Sequence, residues 1–350
     1  MRFSSANLLG TWQKNKYIYF VLLSFFRNFA PSIENSYMSR MNAIRLLACS
    51  LLALALLTGC RKQTTNPVRG HAAYYWSTVF RLSPGQRGFI RDHAIERLYV
   101  RYFDVVMGQE GEPMPNATIQ FKDTFPEGME VVPTVFILNE CMAKEAPGLA
   151  HKIAARILQM NETHDIANVR EVQIDCDWTR RTEQRFFSFM DSLRSELKAK
   201  GIGLSSTIRL HQLSQAAPPA DRGVLMVYNT GDFTDINCQK PILDVEAVGP
   251  YLKYLDSYPL PLSAAYPLFS WQILFRGRQF VGIIHGEDEY PILPTDSIVT
   301  RDVTLEEILM VREMITRHRE DIHNEVILYE LNDKNLTKFN HNDYEKIFGY

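Results

Sequence analysis

The strongest candidates for chemistry in the sequence are two aspartates, Asp175 and Asp177, which lie two positions apart at the end of an apolar run. In a β-strand, residues i and i+2 point to the same side and lie about 6.6 Å apart. Two carboxyl groups in one cleft suit glycoside hydrolysis, in which one protonates the glycosidic oxygen and the other acts as nucleophile or base. In the alternative interpretation both aspartates are structural and pair with Arg101 or Arg209.

Other residues with useful chemistry stand at the ends of further predicted strands. Glu140 and Glu330 join the two aspartates as candidates for catalysis. Asp177 is the first choice for one of the two roles, and one of these glutamates or Asp104 for the other. Candidates for substrate binding are Trp76, Asp104, Trp178, Arg209, His211, Tyr228, Asn229 and Trp271.

The composition of this set indicates the kind of ligand. Sugar rings stack on aromatic faces, and sugar hydroxyls need charged or amide partners, so the set predicts a carbohydrate. Core packing is the alternative for Trp76, Trp178 and Trp271. Solvated loop positions are the alternative for Glu140 and Glu330.

These residues share one site only if the fold brings the strand ends together. Eight short apolar or β-branched runs fit strands, at residues 72–80, 95–106, 131–138, 169–177, 202–208, 224–228, 262–269 and 325–331. Mostly helical patterns separate them, and residues 273–276 and 279–284 fit a hairpin. The alternation predicts a single (β/α)8 TIM-like barrel over residues 72–350, with the strands' carboxyl ends at one mouth. An open doubly wound sheet is the alternative.

Two of the helices have clear signals in the sequence. Ser83 and Pro84 suit the N-cap and first position of a helix that runs to about residue 93. Apolar residues at positions 186, 190, 193 and 197 share one face of a helix predicted over residues 180–200. Such a face predicts packing against the barrel.

The composition and the absent motifs exclude several classes of function. The chain has 350 residues with 38 Lys and Arg against 40 Asp and Glu, so no excess of positive charge favours a nucleic-acid partner. It contains neither G-x-G-x-x-G nor G-x-x-x-x-G-K-[ST], and neither H-E-x-x-H nor G-x-S-x-G. His211 has no second histidine at ligand spacing, so neither a metal site nor a cofactor is predicted.

The amino-terminal region has the features of a secretory signal. In residues 38–59 a basic stretch precedes an apolar run of roughly a dozen residues, whereas a membrane helix needs about 20. The segment Leu57-Thr58-Gly59-Cys60 resembles the bacterial lipobox, in which the cysteine is acylated and the chain is cut just before it. Acylated Cys60 is therefore predicted to anchor the protein to a lipid bilayer of the bacterial cell envelope, at an undetermined leaflet and face.

The residues on either side of this signal have simpler interpretations. Residues 60–71 form a lipidated tether that precedes the barrel. Residues 1–37 are interpreted as an upstream extension from a start codon assigned too early, with Met38 or Met41 as the initiator. The alternative is a second anchor at residues 17–26, which is too short to cross hydrocarbon as a helix.

Three cysteines belong to the predicted barrel, namely Cys141, Cys176 and Cys238. Their number is odd and no C-x-x-C spacing occurs, so neither a disulfide framework nor a zinc site is indicated. We expect buried small apolar side chains, although an exported protein permits one bridge.

Several segments also show a resemblance to a known family. Residues 98–104, 173–179, 204–212, 218–223, 226–229, 258–262 and 269–271 are similar to a bacterial family catalogued as domain of unknown function 3142. This family has no assigned function. A more distant resemblance is to glycoside hydrolase family 18 and similar barrels, whose fourth strand ends in D-x-D-x-E. Asp175-Cys176-Asp177 matches the first part, and Thr179 stands where the pattern has its catalytic glutamate.

This departure leaves two functions open. The first is a membrane-anchored, glycoside-hydrolase-like barrel that takes its proton donor from another strand end. The second is a non-catalytic lipoprotein that binds a glycan or a partner protein in the same cleft. The barrel alone does not decide between them, because one fold supports many functions.

The lipid anchor is directly testable. Replacing Cys60 by Ala removes the only thiol in the lipobox, so we expect loss of fatty-acid labelling and release from the membrane fraction. Metabolic labelling with a fatty-acid probe, followed by fractionation, measures both. Undiminished labelling of the variant would show that the anchor lies elsewhere.

Overall fold

A computed structural model describes residues 70–284 and 290–349. Within these ranges the strands are β1 Gly70–Tyr75, β2 Val79–Phe80, β3 Ile95–Met107, β4 Pro113–Asn116, β5 Gln120–Phe121, β6 Glu130–Ile137, β7 Glu171–Asp175, β8 Gly203–Arg209, β9 Arg222–Met226, β10 Leu262–Pro267, β11 Trp271–Arg276, β12 Gln279–Ile284, β13 Asp296–Arg301 and β14 Glu325–Tyr329. The helices are α1 Pro84–Asp92, α2 Leu149–Thr163, α3 Glu183–Lys198, α4 Val245–Leu252, α5 Leu305–His318, α6 Asp333–Leu336 and α7 His341–Phe348.

Eight parallel strands close into a barrel. Their order is β1, β14, β10, β9, β8, β7, β6 and β3, and β1 also pairs with β3 to complete the ring. The register places Ala73 opposite both Leu328 of β14 and Leu98 of β3, so β1 is hydrogen-bonded on both edges. The predicted (β/α)8 barrel is thus confirmed, and the open sheet is wrong.

Helices pack around the barrel where their apolar faces meet the strands. Helix α1 starts at Ser83, whose side chain accepts a hydrogen bond from the Gln86 backbone, with Pro84 in the first turn as predicted. Helix α3 buries the predicted stripe of Phe186, Met190, Leu193 and Leu197. Among the described residues, two crossovers contain no α-helix: β3 leads to β6 through β4 and β5, and β8 leads to β9 through a 3-10 helix.

Several predicted bounds differ from the structure. The first run divides into β1 and β2, and the fourth strand ends at Asp175 rather than at Asp177. The hairpin gains a third strand, β13, half of whose side chains are exposed and whose sequence lacks the apolar alternation of a predictable strand. Helices α6 and α7 were not predicted, although α7 buries Tyr344, Ile347 and Phe348.

The predicted signal and lipid anchor lie beyond these ranges. Cys60, the signal in residues 38–59, the extension 1–37 and the tether up to residue 69 lie outside the described residues. In the described part, no helix combines the length and apolarity needed to cross a membrane. Cys141 and Cys176 are buried and Cys238 is partly exposed, each as a free thiol.

Charged side chains inside the amino end of the barrel form a paired network. The Glu325 carboxylate accepts hydrogen bonds from Arg97 at 2.7 Å, from the Ser263 hydroxyl at 2.7 Å, and from Arg222. Burial alone would raise the pKa of Glu325, but the two arginines outweigh it and hold that pKa below its ordinary range. This network stabilises the end of the barrel opposite the predicted mouth.

Candidate functional site

The mouth at the carboxyl ends of the strands contains a carboxylate–guanidinium–carboxylate arrangement. Asp175 at the end of β7 accepts hydrogen bonds from the Thr207 hydroxyl at 2.7 Å and from the Arg209 guanidinium at 2.9 Å. The Nε of Arg209 also donates to Asp177. Arg209, at the end of β8, therefore bridges both aspartates, as in the structural alternative for this pair.

The two aspartates have different surroundings. Asp175 is 4% exposed, and burial raises its pKa, with Arg209 opposing this rise and Asp177 adding to it. The side chain of Asp177 is 58% exposed, which contradicts its predicted place on the interior face. The reason is that β7 ends at Asp175, so Asp177 lies on the rim, beyond the strand.

Asp104 on β3 is likewise held by an arginine. Arg101 donates to its carboxylate through Nε at 2.8 Å, and Asp104 is buried. The same guanidinium lies over the ring of Trp76, 5.5 Å from the ring centre. Arg101 therefore joins an acid to an aromatic ring at the mouth.

Glu330 differs from the other strand-end acids in its partners and its pKa. It follows β14, after a cis peptide bond to Tyr329, and is partly exposed. Within the described ranges no hydrogen bond or ion pair engages its carboxylate. Burial raises the pKa of Glu330 to about 7, and the charge of Arg101 opposes this rise. Glu330 is therefore the carboxyl group suited to giving a proton near neutral pH.

A belt of six aromatic rings follows one side of the mouth. The distances between neighbouring ring centres are 5.6 Å for Trp76 and Tyr329, 5.0 Å for Tyr329 and Tyr228, 5.7 Å for Tyr228 and Phe269, 5.3 Å for Phe269 and Trp271, and 5.2 Å for Trp271 and Phe233. All except Tyr228 are partly exposed. This aromatic belt belongs to the β1, β14, β10 and β9 side, and the Arg209 bridge to the neighbouring β8 and β7 side. The mouth thus has an aromatic wall and a charged wall.

Trp178 is not part of this site, and its prediction as a sugar contact is wrong. Its side chain is fully buried and lies against Phe186 and Phe187 of α3, with ring centres 6.0 and 5.3 Å away. Since Asp177 turns to the rim, the next side chain turns into the helix layer. Core packing, the alternative stated for this residue, is what the structure shows.

The remaining predicted residues lie around the rim. Glu140 is exposed in a 3-10 helix, Asn139–Met142, and among the described residues no hydrogen bond or ion pair links it to the other acids. His211 is exposed in the 3-10 helix after β8, where partial loss of solvent around the ring lowers its pKa and the charge of Asp177 opposes that effect. Asn229 is exposed just beyond β9, with a left-handed backbone at φ 57°.

Four contributors to the mouth were absent from the predicted site: Tyr329, Phe269, Phe233, and Arg101 in contact with Trp76. Tyr329 had a usable signal, because it precedes Glu330 and alternates with Ile327 and Glu325 along β14. Phe233 lies in the loop after β9, where no periodicity indicates its direction.

The chain matches no protein-family model and no curated protein sequence. Among solved structures, it is similar to a chitinase from Chromobacterium violaceum ATCC 12472, with a TM-score of 0.51, 12% identity, and coverage of 81% of this chain and 99% of that one. The spore cortex-lytic enzyme SleL of Bacillus megaterium QM B1551 gives a TM-score of 0.49 at 11% identity, covering 78% of this chain and 74% of that one. The likeness to the chitinase is one of fold and agrees with the barrel described above.

Removing Arg209 tests the bridge. In Arg209→Met, buried Asp175 loses its charged partner and stands beside Asp177, so we expect a loss of about 3 kcal/mol in the free energy of unfolding at pH 7. Because burial raises the pKa of Asp175, a larger fraction of this carboxyl group is protonated as the pH falls, so the loss should be smaller at pH 5 than at pH 7. Urea unfolding at both pH values measures the effect.

The matched control is Arg194→Met, since Arg194 pairs with Asp221 on the surface, where both side chains are more than 40% exposed. That change should cost less than about 1 kcal/mol at either pH. Equal losses in the two variants would mean that the bridge has no special role.

Proposed function

We propose that the barrel binds a carbohydrate chain in its carboxyl-end mouth. The observation that carries this proposal is the aromatic belt beside the Arg209 bridge at the same mouth. Stacking surface on one side and fixed charges on the other are what a polyhydroxylated ring requires.

The exposed parts of the two walls have complementary roles. Trp76, Phe269 and Trp271 present partly exposed rings to the apolar faces of sugar units. On the other wall, the exposed Asp177 accepts hydrogen bonds from sugar hydroxyls, and its contact with Arg209 fixes its direction. The buried Asp175 stays inside and positions Arg209.

Turnover of the bound glycan is the second candidate, and Glu330 is the observation that favours it. With a pKa of about 7, this group is protonated in a large fraction of molecules at neutral pH and can act as general acid. Asp177 is the exposed carboxylate available as nucleophile or base. In this arrangement Glu330 is the proton donor in place of the glutamate that is absent at Thr179. Neither Asp175 nor Glu140 has a catalytic role in it.

The cellular setting and family are further parts of the proposal. We propose a lipid-anchored protein of the bacterial cell envelope, held through Cys60, and membership of the domain of unknown function 3142 family. The lipobox, the signal pattern and the quoted segments support both. A glycan of the envelope would then lie within reach of the tethered mouth.

The binding proposal is tested with a glycan array and the full chain. Trp271→Ala removes a partly exposed ring of the belt, so the affinity for the best glycan should fall at least about tenfold. Tyr254→Ala is the control, because Tyr254 is an exposed aromatic outside the belt, in contact with Lys253. Binding that survives Trp271→Ala and Trp76→Ala, in variants with the wild-type thermal midpoint, would place the glycan elsewhere.

Glu330→Gln separates binding from turnover. The amide keeps the shape and cannot give a proton, so turnover of any bound glycan should fall about a hundredfold while binding is kept. Wild-type turnover should decline as the pH rises through about 7, because the protonated acid is lost. Glu140→Gln, at an exposed glutamate on the same end of the barrel, should change neither quantity. If wild-type protein binds glycans and hydrolyses none, the second candidate fails and the first stands.

A further inference from the structure

A cluster of possible metal ligands lies away from the mouth, where α7 meets the end of α1. His93 follows α1, while His341 and Glu345 occupy neighbouring turns of one face of α7. The Nδ1 atom of His93 lies 2.8 Å from the Glu345 carboxylate, and the His93 ring stacks on that of His341 with centres 4.5 Å apart. The three side chains thus converge from two separate helices.

We propose that His93, His341 and Glu345 bind one divalent transition-metal ion of the zinc class. One ligand atom from each residue lies within 4.8 Å of the other two. Imidazole and carboxylate ligands suit this class, and bonds of about 2.1 Å to a tetrahedral ion bring such atoms to roughly 3.4 Å from one another. Since the His341 side chain is exposed, its rotation closes the difference without disturbing the core.

The ligands differ in how firmly the fold holds them. His93 is 5% exposed, and its ring contacts Phe89 and Tyr344, with centres 4.4 and 5.4 Å away. One rigid ligand and two adjustable ones make a site that forms with little rearrangement.

The surroundings leave room for solvent at the ion. A cavity of about 480 Å³ adjoins the cluster and is lined by both histidines, together with Asp92 and Asp333. Water from this cavity can complete the coordination. The buried face of α7 holds Tyr344, Ile347 and Phe348, so a bound ion would attach this helix to α1 and stabilise the end of the chain.

Zinc binding to the full chain tests the proposal. The protein, in detergent and without a polyhistidine tag, is stripped with a chelator and titrated with zinc chloride in a calorimeter. We expect saturable binding and a zinc-dependent rise in the thermal midpoint. His341→Ala and Glu345→Gln should each weaken this binding at least about tenfold and abolish the thermal shift.

His151→Ala is the matched control, because His151 is an exposed histidine 3.4 Å from the Glu196 carboxylate, outside this cluster. It should bind zinc as the wild type does. Circular dichroism of the metal-free variants checks that they fold. We expect them to fold, because His341 is exposed and Glu345 is partly exposed. Wild-type affinity in both cluster variants, absence of saturable zinc binding, or equal affinity for magnesium would overturn the proposal.

Discussion

The pairing of charges inside a closed barrel is the constraint on which the rest of the structure depends. Closing eight strands places charged side chains where water solvates them poorly, so each is stable only with a partner. At the amino end, Glu325 is matched by Arg97 and Arg222. At the carboxyl end, Arg209 is shared by Asp175 and Asp177. Glu330 has no such partner among the described residues and keeps its proton to about pH 7 instead.

The pairing of charges determines which acids of the mouth are available for chemistry. Asp175 and Asp177, the strongest candidates in the sequence, both pair with Arg209. Asp104 pairs with Arg101. Glu330, which follows β14 on the same side as the aromatic belt, is therefore the group that we propose as the acid. In that proposal an acid and a rim carboxylate act on a bound glycan, and Glu330 takes the place of the acid that the chain lacks at Thr179.

The fold was largely predictable because periodicity reports burial. Every barrel strand followed from an apolar or β-branched run and the apolar face of α3 from its spacing, whereas the half-exposed β13 followed from neither. Site details depended on where a strand ends. Ending β7 at Asp175 moved Asp177 to the rim and Trp178 into the helix layer. Phe233, in a loop, and His93, distant in sequence from α7, meet their partners only through tertiary packing.

The most direct test of this account is the protonation of Glu330. The side-chain carboxyl carbon of labelled glutamate is followed by NMR as the pH is varied, with Glu330→Gln identifying the signal. We expect a midpoint near 7 for this one glutamate, well above the ordinary value of 4.5. A midpoint near 4.5 would show that Glu330 is an ordinary solvated carboxylate and would contradict its role as the acid of the mouth.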